Sequence, residues 1–297
     1  MALNSGFEYR ERLGRGARGA TLLDYLARRY RHSPADAWRD RIEHGQVVLD
    51  GHPARPETPV YEGQRLSWQR PPWHEPPAPT SFAVLYRDSE LLAVAKPAGL
   101  PVLPAGGYLQ HTLLACVRRL DPAAVPMHRL GRWTSGLVLF ARTRNARAKV
   151  AEAWRDGKVW KRYRALASGL PRCREFVVTD PIGPVPHPLL GTVHAACFTG
   201  RSAETRVRAI DTADRRFVAD VLLVTGRPHQ IRIHLAAAGH PLVGDPLYVA
   251  GGVPSPDSRA LPGDPGYLLH AAELRLPHPT NGNPLHLHCS PPPTLRP

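Results

Sequence analysis

The segment HQIRIHLAAAG, beginning at His229, alternates polar and apolar side chains, so that Gln230, Arg232 and His234 share one parity while Ile231 and Ile233 share the other. As a strand it would present three polar groups on one face. Such a face lines a polar cleft or meets solvent, and the glycine-dense GHPLVGDPLY that follows favours the cleft. A second patterned stretch is AVAKPAGL, where Pro97 fixes its own backbone and Gly99 permits close approach to a ligand, so that Lys96 projects from a held position. A phosphate contact, a structural contact and a merely solvated lysine all fit it. A third, MHRLGRWTSGLVLFAR over residues 127–142, sets His128, Arg129 and Arg132 in a loop before an apolar strand, with Trp133 beside the cations. His286, His288 and Cys289 are close enough in sequence to be imagined as metal ligands, but no other pair is spaced to complete a site, so no metal is expected.

The elements that must hold these residues are short. FAVLYRDSELLAVAK reads as strand, turn at Asp88-Ser89, and strand; TSGLVLFAR is a strand, KVAEAWRDGKV a helix closed by Gly157, and KRYRALASG a strand ending at Gly169. ETRVRAID and RFVADVLLVTG add further strands, and HQIRIH would add another. Many short strands, few helices and long irregular connections predict an α+β domain built on a mixed, largely antiparallel sheet.

Ahead of that domain, ATLLDYLARRY has Leu22, Leu23, Leu26 and Tyr30 at helical spacing. Ser33-Pro34 then reads as a cap followed by proline at the first position of a second helix, PADAWRDRIEHG, which stops at Gly45. Asp50-Gly51 breaks QVVLDGHPA as a hairpin turn would. The proline-dense QRPPWHEPPAPT cannot support a helix or a central strand and marks the boundary. Residues 1–70 are therefore expected as a small α/β domain, 71–80 as a linker and 81–297 as the main domain.

Lysines and arginines number 39 against 25 acids, a formal net charge of +14. That balance suits a polyanionic partner such as nucleic acid, although an arginine-rich solvated surface would give the same number. Arg28, Arg29, Arg31, Arg39 and Arg41 lie on or beside the two N-terminal helices, where they could meet phosphates or simply form a solvated face. No run approaches the roughly 18 to 20 apolar residues that span a bilayer, and MALNSGFEYRER lacks the apolar core of a signal peptide, so the expectation is a soluble, cytoplasmic chain with no membrane partner. Cys116, Cys173, Cys197 and Cys289 lie far apart, against both a disulfide framework and a zinc site.

The blocks LLAVAKPAGLPV, HRLGRWTSGLVLFA, KRYRAL, GRPHQIRIHLAAAGHPLVGDPLY and LLHAAELRLPHP, in that order, resemble the RluA family of RNA pseudouridine synthases, and residues 20 to 70 resemble the S4-type RNA-binding domain that often precedes its catalytic domain. The resemblance implies a pseudouridine synthase fold acting on uridine in ribosomal or transfer RNA. It implies no cofactor, because the isomerisation needs neither a redox change nor an added group. It maps Arg232 onto the basic residue of the active site and Tyr163 onto the tyrosine that packs against the target base, where stacking is worth roughly 1 to 3 kcal/mol. His128, Arg129, Arg132, Lys96, Gln230 and His229 would contact the substrate, Arg28, Arg29, Arg39 and Arg41 would bind RNA, and Asp245 would orient a loop. The basic surface disfavours close self-association, so a monomer without an obligate protein partner is expected.

In the RluA pattern the residue after His-Arg-Leu is the one catalytic aspartate, and here it is Gly131. An unpaired, buried Arg232 would cost several kcal/mol, so its partner must be replaced or the site must be wet. Three readings stay open. Another carboxylate, Glu204 or Asp264, reaches the pocket; or phosphate or water satisfies Arg232 in a catalytically inactive RNA-binding relative; or Arg232 and Tyr163 stabilise charge on the base and no enzyme nucleophile is needed.

Overall fold

The computed structural model describes residues 3–297, and the chain divides into two compact units, one ending at Glu75 and the other beginning at Pro76. In the first, α1 (Leu22–Arg29) starts where the Thr21 hydroxyl accepts the Asp24 N–H at 3.1 Å, and it buries Leu22, Tyr25 and Leu26. Helix α2 (Ala35–Glu43) begins after Pro34, which itself takes the capping position one residue later than the Ser33-Pro34 pattern implies. Asp50 and Gly51 both adopt positive φ, 51° and 85°, and join Val47–Leu49 to His52–Pro53. Two strands that the sequence reading lacks complete a four-stranded sheet in the order Phe7–Arg12, Arg65–Arg70, Val47–Leu49, His52–Pro53. Leu22, Leu26, Trp38, Ile42, Val47 and Leu66 fill the core between helices and sheet.

The second unit is built on one ten-stranded, largely antiparallel sheet. Its main path runs Glu175–Val178, Thr205–Ala213, Arg216–Leu223, Trp160–Ser168, Leu269–Pro277, Ser135–Ala141, Leu91–Lys96, Ala83–Arg87. One joint on that path is parallel: Ser135 pairs with His270 and Gly136 with Ala271, in the middle of the sheet. Gly136 is obligatory there, since its φ is 105° and an added Cβ would lie 2.3 Å from the Ala271 carbonyl oxygen. The expected α+β class and mixed sheet are what the chain adopts.

Both faces of the apolar half are covered, which explains the unbroken buried run from Leu91 to Val94. Leu92, Val94, Val138 and Phe140 pack with Leu113 and Val117 of α3 (Leu113–Leu120), a helix the sequence reading omits. Leu91, Ala93, Leu137 and Leu139 pack on the other side with Ala146, Val150 and Ala153 of α4 (Arg144–Arg155). In the other half, Ala165, Ala167, Phe217, Ala219 and Val221 cluster with Ile231 and Leu235 of α5 (Gln230–Ala237). Tyr163 packs against both this cluster and the one containing α3, which puts it between the two helix-covered regions at the centre of the sheet. Among the described residues no helix is long and apolar enough to cross a membrane.

Candidate active site

Residues 230–237 form α5 and not a strand, which corrects the reading of HQIRIH. His229 enters the left-handed region at φ 55° immediately before it, and seven of the helix's residues are buried, so no polar face betrays a helical period. Alternation was misleading because residues two apart on a helix diverge by about 200° and do not share a face. Arg232 accordingly parts from Gln230 and His234, which lie one turn apart and both reach Thr205 Oγ1. Gln230 accepts from Thr225 Oγ1 (2.8 Å) and the Arg227 N–H (2.9 Å) and donates to the Glu204 carbonyl and Thr205 Oγ1, which engages its whole amide in holding the helix start. The His234 ring bonds Thr205 Oγ1 and the Asp180 carbonyl.

Arg232 goes to a separate, buried cage. Its Nε and one terminal nitrogen donate to Asp245 Oδ2 (2.7 Å) and Oδ1 (2.8 Å), and the other terminal nitrogen donates to the Pro262 carbonyl. Its guanidinium carbon lies 4.9 Å from the Tyr248 ring centroid and 4.2 Å from that of Tyr267. Both side chains of the ion pair are almost wholly buried, 2% and 1% exposed. Burial by itself would lower the Arg232 pKa, but the hydrogen bonds and charge of Asp245 leave it raised, so the group is a fixed cation. Asp245 also accepts the Leu247 and Tyr248 N–H groups at 3.0 Å, orienting the loop as expected while pairing Arg232 as well. Neither carboxylate named as a replacement partner takes that place: Glu204 accepts from Arg206 at 2.8 Å, and Asp264 from the Leu261 N–H of its own loop at 2.8 Å.

Gly131 is exposed beside this cage, and a Cβ built on it would contact Tyr267 Oη at 3.1 Å. Arg132 donates to the Tyr108 hydroxyl at 2.9 Å, while its Nε and the Trp133 Nε1 are buried without a hydrogen-bond partner. Burial foremost, then the charges of Arg232 and His194 and, more weakly, of Arg129, pull His229 down to about 4 against the opposing pull of Asp245, so its ring is neutral near pH 7. Tyr163 sits at a register shift between Trp160–Ser168 and Leu269–Pro277, directly opposite Ala271, and burial pushes its phenol up to about 12. The fixed Arg232 cation, the neutral His229 ring and the rings of Tyr248 and Tyr267 are thus gathered together, a combination that suits recognition of an anionic, base-bearing substrate.

Residues 90–237 match the RNA pseudouridylate synthase family. An uncharacterized RNA pseudouridine synthase of Synechocystis is 41% identical across 86% of this chain and 89% of its own. The chain belongs to the RluA family of RNA pseudouridine synthases. A Xanthomonas campestris protein named ribosomal large subunit pseudouridine synthase D is 32% identical to this synthase, across 91% of this chain and 84% of its own. The fold is shared with human RNA pseudouridylate synthase domain containing 1, at a TM-score of 0.58 and 24% identity over 75% of this chain and 89% of that one.

Other residues with expected substrate roles are engaged elsewhere in the synthase. His128 accepts the Leu139 N–H at 3.1 Å and stacks on Trp154 at 5.2 Å, and burial, with the Lys161 charge, pulls it down to about 4. Lys96 is 1% exposed, and its ammonium donates to the carbonyls of Pro97, Leu100 and Arg132 at 2.8 to 2.9 Å. These bonds pin the KPAG turn to the loop carrying Gly131, a structural contact. In the first unit, Arg41 lies 4.4 Å from the Trp38 ring and 4.7 Å from that of Trp68, whereas Arg28, Arg29 and Arg39 are exposed. Of the C-terminal trio, His286 bonds Glu273 at 2.9 Å, and burial pushes the Cys289 thiol up to about 11. Tyr248, Tyr267 and the pairing role of Asp245 were missed by sequence reasoning; the need of Arg232 for a partner was the only signal toward them.

Burial lowers Lys96 to about 7 from its ordinary 10.5. Between these values the unfolded chain holds more protons than the native one, so stability is expected to rise as pH increases from 7 to 9.5, by at most about 1.4 kcal/mol per pH unit for one proton. Lys161 is lowered in the same direction and adds to the trend. Urea midpoints across this window should rise in the wild type and rise less steeply in Lys96→Met.

Proposed function

We propose that this synthase isomerises a uridine in ribosomal or transfer RNA with no carboxylate at residue 131. The C1′–N1 bond breaks and C1′ bonds to C5, while C5 loses a proton and N1 gains one, so the base is conserved in composition. The RluA pattern puts its catalytic aspartate where Gly131 stands, and the observation that carries this reading is the Arg232–Asp245 pair. With Arg232 already satisfied by a bidentate carboxylate, the glycine at residue 131 leaves no orphaned charge and the surroundings of Arg232 stay intact. Arg232 then supplies a fixed positive potential, and Tyr163, at the sheet centre, an aromatic face for the flipped base. A relative named for the large ribosomal subunit favours ribosomal RNA as the first substrate to try.

The first unit has the make-up of an S4-like module, two short helices on a small sheet with Arg28, Arg29 and Arg39 exposed on them. We assign it to gripping RNA phosphates. Removal of these three arginines together is expected to weaken RNA binding and to flatten its salt dependence by about 0.7 to 0.9 in log–log slope for each phosphate left without its cation. An unchanged slope would remove them from the RNA interface. The activity itself is tested by mapping pseudouridine in total RNA from cells with and without the gene. At least one site should vanish in its absence, return with the wild type and stay absent with Arg232→Ala.

A further inference from the structure

The side chain nearest to the place where one would begin at Gly131 is that of Tyr267, whose Oη would lie 3.1 Å from a Cβ there, with Thr134 Oγ1 next at 3.4 Å. Tyr267 is 4% exposed and its ring lies over Arg232. Position is imposed from two directions. Gly244 and Gly266 cross so closely that a Cβ on either would fall 2.3 or 2.1 Å from the carbonyl oxygen of the other, which ties the Asp245 loop to the segment carrying Tyr267. One crossing therefore sets Asp245 at the edge of the Arg232 guanidinium and Tyr267 on its face. The Arg232 donors bond Asp245 and the Pro262 carbonyl, but the Tyr267 hydroxyl makes no hydrogen bond to another described residue and is not among the fully buried unpartnered atoms. A buried ring that delivers an unpartnered hydroxyl to an exposed glycine has the form of a ligand-facing donor.

We infer that the Tyr267 hydroxyl faces the space that a side chain at residue 131 would fill and there donates a hydrogen bond to the uracil oxygen that gains charge as the C1′–N1 bond breaks, a different role from that of a carboxylate; this rests on the isomerase activity proposed above. A donor aimed at charge that develops only in the transition state acts on rate and not on binding. Arg232 beneath the ring favours the same charge, and its fixed place prevents the phenol from turning away.

The test is Tyr267→Phe, which keeps the ring over Arg232 and removes only the oxygen. RNA from cells lacking the protein supplies the natural substrate, and single-turnover pseudouridine formation is measured alongside RNA affinity and Tm. The expected result is a rate lowered about 100- to 1,000-fold, with Kd within twofold of wild type and Tm unchanged. A rate within threefold of wild type would overturn the inference, as would a rate loss matched by an equal loss of affinity or accompanied by a clear fall in Tm. A wild type that forms no pseudouridine on this RNA would overturn the isomerase reading and this inference with it, whereas an active wild type with an indifferent Tyr267→Phe overturns the inference alone.

Discussion

Asp245→Ala is expected to destabilise the second unit by about 3 to 5 kcal/mol, the cost of stranding one member of a buried ion pair. Arg232 would keep its charge with its side chain only 2% exposed and would lose both hydrogen bonds to the bidentate carboxylate. The Leu247 and Tyr248 N–H groups would lose their acceptor as well, so the loop that positions Tyr248 under the guanidinium would also loosen. Urea denaturation followed by near-UV signal reads the loss directly. Replacing both partners by apolar residues, Arg232→Met with Asp245→Leu, should recover much of the stability without recovering activity, since the charge proposed to serve the substrate is gone. A loss below about 1 kcal/mol in Asp245→Ala would mean that water reaches the pair, contrary to the burial of both side chains.

Gly136→Ala should be comparably severe. At φ 105° an L side chain is strained, and the new Cβ would fall 2.3 Å from the Ala271 oxygen and 2.6 Å from its nitrogen, both of them backbone atoms that cannot swing aside. The parallel joint at Ser135–His270 and Gly136–Ala271 would have to open, taking with it the 2.9 Å bond between Ser135 Oγ and His270 Nδ1. Strain and overpacking together place the expected loss at about 3 to 5 kcal/mol. Because Ala271 is also the direct partner of Tyr163, activity should fall further than the folded fraction does. A Tm within about 2 °C of wild type would show that the strands separate at little cost, and with it that the glycine of TSG is not held by this close approach.

How much of this could be read beforehand divides by the physics of each element. Helices with a hydroxyl cap and an apolar stripe, such as α1 behind Thr21, announce themselves, and so does the Asp50-Gly51 turn, because each depends on chemistry confined to a few neighbouring residues. Helix α3 has the same signature, Thr112 accepting from Ala115 N at 3.2 Å, and could have been found by it. Helix α5 could not: buried on every side, it lacks an amphipathic period, and its polar residues alternate by coincidence. Among the candidate site residues, Arg232, Tyr163 and Gly131 were picked out through the motif order that carries the RluA resemblance. Asp245 was visible as a loop residue, but its pairing with Arg232 depends on a 13-residue return of the chain that no local pattern encodes. Tyr267 belongs to no block, and only the crossing of Gly244 with Gly266 brings it to residue 131.

Pseudouridine formation by purified wild type and by Gly131→Asp, side by side on ribosomal and transfer RNA from cells lacking the protein, tests the central claim most directly. The account predicts pseudouridine at one or more uridines with the wild type, abolished by Arg232→Ala, and no requirement for the added aspartate. Pseudouridine formed by Gly131→Asp and none by the wild type would contradict it, because the carboxylate at residue 131 would then be indispensable.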